Sequence, residues 1–252
     1  GSAWGTVIAQ AVMGTAFVIE LLRAPADSRR PRWATMRPLL KIGGDIAVRT
    51  GALLASFALA SAVVARMGEA SLGAHQVAFQ LFFFLALVLD AIAIAGQIMV
   101  GRALGAEDAE GAYSAARRMI GWSVAVGAAF SAALFALGGV LPQVFTDDPA
   151  VIERAAGIWP LLILMQPVGA AVFALDGILI GAGDTRFLKW SMLAAFAAFA
   201  PLALASLILG FGAVGVWISL NVLMAVRLLN CGARFIGQRW AVTGASREAG
   251  KA

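Results

Sequence analysis

The composition of this chain is that of a membrane protein. Of its 252 residues, 61% are hydrophobic and only 13% are charged, and the mean hydropathy is +0.88. A soluble domain of this size needs far more charge to cover its surface, so composition excludes that class. One Cys and one His provide neither a disulfide framework nor a four-ligand metal site. The formal net charge is +5, and the position of the basic residues explains it.

Seven apolar stretches are long enough to cross about 30 Å of hydrocarbon as α-helices. The last two are separated by GFGAVG (210–215), a Gly-rich turn inside an uncharged run too long for one crossing. We therefore predict an all-α, polytopic membrane protein with helices near 3–22, 43–66, 75–101, 114–141, 153–181, 187–209 and 214–236. The chain opens with Gly1, and no basic region of a signal peptide precedes the first apolar run. We expect it to be a piece of a longer protein.

Basic residues fall in every second connection between the predicted helices. Most of the 19 Lys and Arg residues lie in 23–41, 102–118, 182–189 and the tail from 234, whereas the other connections hold few. Because cytoplasmic loops are enriched in Lys and Arg, this alternation predicts a cytoplasmic C-terminal tail. Basic loops along one membrane face also account for the positive charge, so the expected partner is the lipid bilayer and not nucleic acid.

The second predicted helix begins with Asp45 and Arg49, which are four residues apart and share one face. Arg49 lies about one turn deeper in the membrane, where it can reach a carboxylate of a neighbouring helix. It can equally pair with Asp45 at the interface and extend its guanidinium group to the lipid headgroups. The sequence leaves both possibilities open.

The third predicted helix carries a polar stripe. Gln76, Phe83, Asp90 and Gln97 recur every seven residues, close to one line along an α-helix. A carboxylate at the bilayer centre costs about 2.5 to 3.5 kcal/mol on insertion scales. Asp90 is therefore expected to face protein or water and to have a function.

The fifth predicted helix repeats this pattern. Gln166, Gly169, Phe173 and Asp176 fall within about a quarter-turn of one another. Two polar faces in one bundle predict a shared cavity that both aspartates line. The glutamines have a second interpretation, as side chains that join neighbouring helices through hydrogen bonds.

Three prolines lie inside predicted helices, Pro160 and Pro167 in the fifth and Pro201 in the sixth. Each removes a backbone hydrogen bond and is expected to bend its helix. Bent helices beside a cavity suit a protein that changes which side is open.

In the last helix, Asn221 is expected to line the cavity or bind a neighbouring helix, and Arg227 to extend toward the cytoplasmic headgroups.

Several segments resemble one known family. They are GDIAVRTGALL (44–54), LGAHQVAFQ (72–80), LDAIAIAGQIMVGRALGA (89–106), LPQVFTDDPAVI (141–152) and FALDGILIGAGDTRFLKWSM (173–192). These segments are similar to the second half of a multidrug and toxic compound extrusion (MATE) transporter of the bacterial DNA-damage-inducible (DinF-like) branch. The opening AWGTVIAQAVMG (3–14) is similar to the last helix of the first lobe in the same family.

The resemblance implies a secondary antiporter of two six-helix lobes in the bacterial cytoplasmic (inner) membrane. Such proteins export amphipathic, often cationic, organic compounds in exchange for H⁺ or Na⁺. Residues 1–41 would then be the last helix of the first lobe and a basic linker, 42–238 the six-helix second lobe, and 239–252 a cytoplasmic tail. The remaining N-terminal lobe would be the partner of this chain.

The combined hypothesis places the second-lobe half of a central cavity in this chain. Asp90 and Asp176, moderated by Arg49, would set its charge. Four amide side chains would supply hydrogen bonds, those of Gln76, Gln97, Gln166 and Asn221. Phe83 and Phe173 would form apolar walls. No cofactor besides the coupling ion, no metal site and no enzymatic activity are expected. Two alternatives remain, a lipid-linked saccharide flippase or exporter of the wider superfamily, and a structural half that is inactive without its partner lobe.

Overall fold

The computed structural model describes residues 2–23 and 33–243, and this part of the chain is helical, without a β-strand. The helices are α1 (Ser2–Arg23), α2 (Trp33–Ala65), α3 (Glu69–Gly105), α4 (Ala109–Ala136), α5 (Leu141–Phe145), α6 (Pro149–Gly181), α7 (Thr185–Ile208) and α8 (Gly212–Ile236). All except α5 are long and apolar enough to cross a bilayer, giving seven candidate spans within the described ranges. The prediction of an all-α, polytopic membrane protein is therefore confirmed.

Two compact units divide the chain, 1–40 and 41–252, and α2 runs from the first unit into the second. In the first unit, every side chain of α1 from Ala3 to Arg23 is exposed. The second unit contains the rest of α2 and helices α3 to α8. It also holds the buried core and the candidate site.

Capping side chains determine where two of the long helices begin. The carboxylate of Asp108 accepts a 2.7 Å hydrogen bond from the backbone N–H of Gly111, and that of Asp148 a 2.9 Å bond from Ala150. Both caps satisfy N–H groups in the first turn that no helical carbonyl can reach. As a result α4 and α6 begin earlier than the apolar stretches predicted, because their first turns are polar.

Helices α3 and α6 cross closely because α6 presents two glycines to α3. A Cβ atom at Gly177 would overlap the backbone of Ala93, and one at Gly181 would overlap the backbone of Gln97. The two glycines are four residues apart and lie on one face of α6, as in small-residue contacts of other membrane helices. With 56% of its apolar window buried, α6 is the most buried of the candidate spans, and this crossing fixes the position of the adjacent Asp176.

The buried apolar residues form two clusters. The larger surrounds Leu162, Phe199 and Trp217, and the smaller contains Ile178 and Trp240. Trp240 is only 2% exposed, and its indole N–H donates a 3.0 Å hydrogen bond to the carbonyl of Phe235. The beginning of the segment that the sequence assigned to a tail is therefore packed onto the bundle.

Candidate functional site

Asp176 is the centre of a buried ion cluster that joins three helices. Its Oδ2 atom accepts hydrogen bonds from the guanidinium groups of Arg49 on α2 and Arg227 on α8. Asp176 is 5% exposed and Arg227 is 3% exposed. We call these three residues the Asp176 cluster. It carries two positive charges and one negative charge, so the carboxylate is shared between two cations.

Two further ion pairs lie toward the same end of the bundle. Asp45 on α2 pairs with Lys189 on α7, and Asp184 before α7 pairs with Arg234 on α8 at 2.6 Å. Asp45 and Arg49 therefore each contact a different neighbouring helix, and not each other. Of the two possibilities for Arg49, the structure shows the contact with a carboxylate of another helix.

Arg227 does not extend to the headgroups, so that prediction was wrong. Its guanidinium group is buried and donates a hydrogen bond to Asp176. It also lies 3.6 Å from the sulfur of Met224. An arginine buried in a bilayer-spanning helix needs an anionic partner, and Asp176 is that partner. One signal in the sequence was available, because Asp176 and Arg227 both lie in the half of their helix next to a basic connection.

Asp90 lies apart from the Asp176 cluster. It is exposed near the middle of α3, and no hydrogen bond or ion pair to it occurs within the described residues. Phe83, one stripe position away, is 42% exposed and packs its edge against Phe57 and Phe79, with ring centroids at 5.6 and 4.7 Å. The structure thus brings Arg49 and Asp176 together but leaves Asp90 on the outer face of α3.

The predicted amide residues occupy several different environments. Gln76 is exposed beside a cavity of about 300 Å³ near the start of α3, and Gln97 is half-buried. Gln166 is buried and donates to the carbonyl of Leu162 in its own helix, while its Oε1 atom has no partner in the described chain.

Asn221 on α8 joins two helices. Its amide donates to the carbonyl of Leu161 on α6 at 3.2 Å and to that of Trp217 in its own helix at 2.9 Å. This is the contact between neighbouring helices that the sequence offered as one of two possibilities for Asn221. Phe173, the other predicted apolar wall, is half-buried against the larger cluster.

The sequence did not indicate the pair formed by the half-buried Ser61 and the buried His75. The Ser61 hydroxyl lies 3.0 Å from Nε2 of His75, whose ring stacks on Phe79 and meets the edge of Trp217. Nδ1 of His75 and the indole nitrogen of Trp217 are buried without a hydrogen-bond partner in the described residues. A lone His in an apolar run gives no signal that distinguishes such a pair from an ordinary core residue.

Comparison with known proteins identifies relatives along most of the chain. A family model described as MatE matches residues 46–209, more than half of the sequence. Over 240 residues the chain is 28% identical to the DNA damage-inducible protein F of Escherichia coli (strain K12), covering 92% of this chain and 52% of that protein. Over 229 residues it is 30% identical to the probable multidrug resistance protein NorM of Geobacillus kaustophilus (strain HTA426), covering 88% and 48%.

Plant proteins also match. Over 205 residues the chain is 33% identical to the Protein DETOXIFICATION 44, chloroplastic, of Arabidopsis thaliana, covering 79% of this chain and 38% of that protein. The chain thus spans about half, or less, of the length of the curated relatives that it matches.

Solved structures show the same fold. A crystal structure of a MATE in complex with MaD3S superposes with a TM-score of 0.75 at 19% identity, covering 83% of this chain and 48% of that one. A MOP superfamily transporter from Pyrococcus furiosus gives a TM-score of 0.74 at 20% identity, with 83% and 47% covered. The match to the E. coli protein agrees with the resemblance to the DinF-like branch. The chain therefore belongs to the MATE family, which is a family of multi-pass membrane transporters and not of enzymes.

Proposed function

We propose that this chain is the C-terminal half of a secondary antiporter that exports amphipathic or cationic organic compounds in exchange for H⁺ or Na⁺ by alternating access. Relatives named for multidrug resistance support this proposal, and the chain spans about half of the length of one of them. The observation that carries it is the exposed Asp90 carboxylate within a helix that spans the bilayer. Such a charge requires water or another polar surface opposite it.

The face of α3 around Asp90 suits an amphipathic cation. Phe83, Leu87 and Ile94 lie on the same helical face as Asp90, at spacings of four, three and four residues, and are exposed by 42%, 68% and 49%. A flat apolar surface with one carboxylate can pack against the apolar body of a ligand and pair with its positive charge. We propose that this face lines the cavity between this chain and the other lobe.

The Asp176 cluster would then control helix packing instead of contacting the substrate. Arg49 connects α2 to α6 through Asp176, and Arg227 connects α8 to the same carboxylate. A proton on Asp176 would cancel its attraction for both arginines and release α2 from α6. Two guanidinium groups also repel a sodium ion, so at this position the proposal favours H⁺ over Na⁺ as the coupling ion.

We place the protein in the bacterial cytoplasmic membrane with the C-terminal tail in the cytoplasm. The ends of α3, α6 and α8 and the beginnings of α4 and α7 lie on one side if the spans alternate across the bilayer. The basic residues Arg102, Arg117, Arg186 and Arg234 lie at these ends, as expected for cytoplasmic loops.

Transport by the full-length protein in inverted membrane vesicles tests the proposal. We expect Asp90→Asn to reduce uptake of a fluorescent cationic dye by about tenfold per folded molecule, the effect of losing one charged contact. Asp176→Asn should abolish the dependence of dye uptake on a proton gradient. The control is Asp147→Asn, which removes an exposed acid from the connection before α6 and should leave uptake unchanged. Unchanged dye uptake by both test variants would remove the two aspartates from the mechanism.

A further inference from the structure

A cavity lined by none of the residues of the Asp176 cluster lies at the beginning of α4. It has a volume of about 720 Å³ and lies between the first turns of α4 and the segment after α8. Six of the eight described residues that line it are polar or charged, namely Glu110, Tyr113, Ser114, Arg117, Arg118 and Gln238.

An aromatic stack lies behind the side of this cavity that Tyr113 lines. Tyr113 lies parallel to Phe235 with ring centroids 5.2 Å apart, and Phe235 lies parallel to Trp240 at 5.5 Å. Gln238 has a left-handed φ of 52°, which turns the chain after α8 back toward α4. The cavity wall is therefore built from packed side chains of two elements that are distant in sequence.

The charges in the cavity favour an anion. Arg117 and Arg118 are exposed, and neither has an ion-pair partner in the part of the chain that the structure describes. Glu110 supplies one negative charge, so the three side chains leave one net positive charge. Guanidinium groups bind phosphate oxygens through two parallel hydrogen bonds, and the Ser114 hydroxyl is a further donor on the same wall.

The surroundings favour a phosphate that belongs to a lipid. The cavity is at the end of a candidate membrane span, where Tyr and Trp side chains commonly lie at the level of the headgroups. Trp122 follows Arg118 by one turn of α4 and is 66% exposed, so an apolar surface continues from the cavity along the helix. A soluble phosphate compound would not need this apolar surface.

We propose that this cavity binds the phosphate headgroup of an anionic phospholipid of the phosphatidylglycerol type. Arg117 and Arg118 hold the phosphate, the aromatic stack supports the wall beside it, and the acyl chains run along α4 past Trp122. The site would anchor the beginning of α4 to one leaflet and does not depend on which compound the protein transports.

Native mass spectrometry of the full-length protein tests this site, with dioleoyl-phosphatidylglycerol and dioleoyl-phosphatidylcholine added separately at equal concentration. We expect the first lipid to bind more tightly and the double substitution Arg117→Gln/Arg118→Gln to weaken it by about tenfold. Arg186→Gln removes an exposed arginine at the same end of the bundle but outside the cavity, and it should leave binding unchanged. Glu110→Gln should strengthen binding about threefold, because it removes a repulsive charge.

Misfolding could by itself explain a loss of lipid binding in the arginine variants. It cannot explain a gain of lipid binding in Glu110→Gln, so this variant tests the site independently of folding. Equal binding of the two lipids, or an equal loss in the Arg186 control, would overturn the proposal. Displacement of phosphatidylglycerol by millimolar inorganic phosphate would assign the cavity to a soluble phosphate compound, which also overturns the lipid assignment.

Discussion

The hydroxyl of Ser131 on α4 donates a 2.7 Å hydrogen bond to the main-chain carbonyl of Ile163 on α6. That carbonyl is the one that would accept from residue 167 in an unbroken helix, and Pro167 has no N–H to donate. A side chain of the neighbouring helix thus replaces the hydrogen bond that the proline removes. In a bilayer no water is available to do so.

We predict that Ser131→Ala destabilises the folded protein by about 1 to 2 kcal/mol, because it leaves the half-buried carbonyl of Ile163 without a donor. Ser123 provides a matched control on the same helix. It donates to the carbonyl of Ala170, which keeps its own helical donor, so Ser123→Ala should cost only about 0.6 kcal/mol. Thermal unfolding in detergent measures both changes. Equal costs for the two serines would contradict this account.

Removing Asp176 is predicted to destabilise the fold more than removing either of its arginines. Asp176→Asn leaves the buried guanidinium group of Arg227 and the half-buried one of Arg49 without an anion, and the cost is about 3 to 5 kcal/mol. Arg227→Met or Arg49→Met leaves one arginine paired with one carboxylate, and the net charge of the cluster falls to zero. The order of unfolding temperatures is the measurement, and an arginine variant less stable than Asp176→Asn would contradict the proposed sharing of one carboxylate.

The close crossing of α3 and α6 gives a third prediction. Gly177→Ala and Gly181→Ala each place a methyl group against the backbone of α3, so we expect a loss of about 1 to 3 kcal/mol from overpacking. Gly169→Ala is the control in the same helix, because a Cβ atom there has no neighbour within 4 Å. Unfolding by heat should therefore separate the two glycines of the crossing from Gly169. Similar stability in all three variants would show that the helices can move apart at little cost.

The seven spans could be predicted because hydrophobic length is a local property of the sequence. The short helix α5 could not, since its five residues are fewer than any membrane span needs. The beginnings of α4 and α6 were placed late because their capped first turns are polar, and hydropathy does not register a capping carboxylate. These differences leave the number of membrane spans unchanged.

The candidate site was less predictable, because pairing between helices is a tertiary property. In the sequence, an arginine that extends to the headgroups and one that is buried against an acid look alike, and Arg227 was assigned to the wrong class. Asp90 and Asp176 share the same LD motif within apolar runs. Asp176 is nevertheless buried beside the crossing at Gly177, whereas Asp90 is exposed on the surface of α3. Only the packing of α6 against α3, α4 and α8 separates their environments.

The proposed orientation leads to a last prediction, which uses the lone cysteine. Cys231 is 1% exposed and lies 3.7 Å from the Ser191 hydroxyl, so a membrane-impermeant maleimide should not label the unmodified protein. Asp147→Cys places a thiol in the connection before α6, and Arg186→Cys places one in the first turn of α7; both positions are exposed, and the proposed orientation puts them on opposite sides of the bilayer. We expect intact cells to label the first variant, and only permeabilised cells to label the second. Labelling of Arg186→Cys in intact cells would reverse the assigned topology and move the basic cavity at α4 to the outer leaflet.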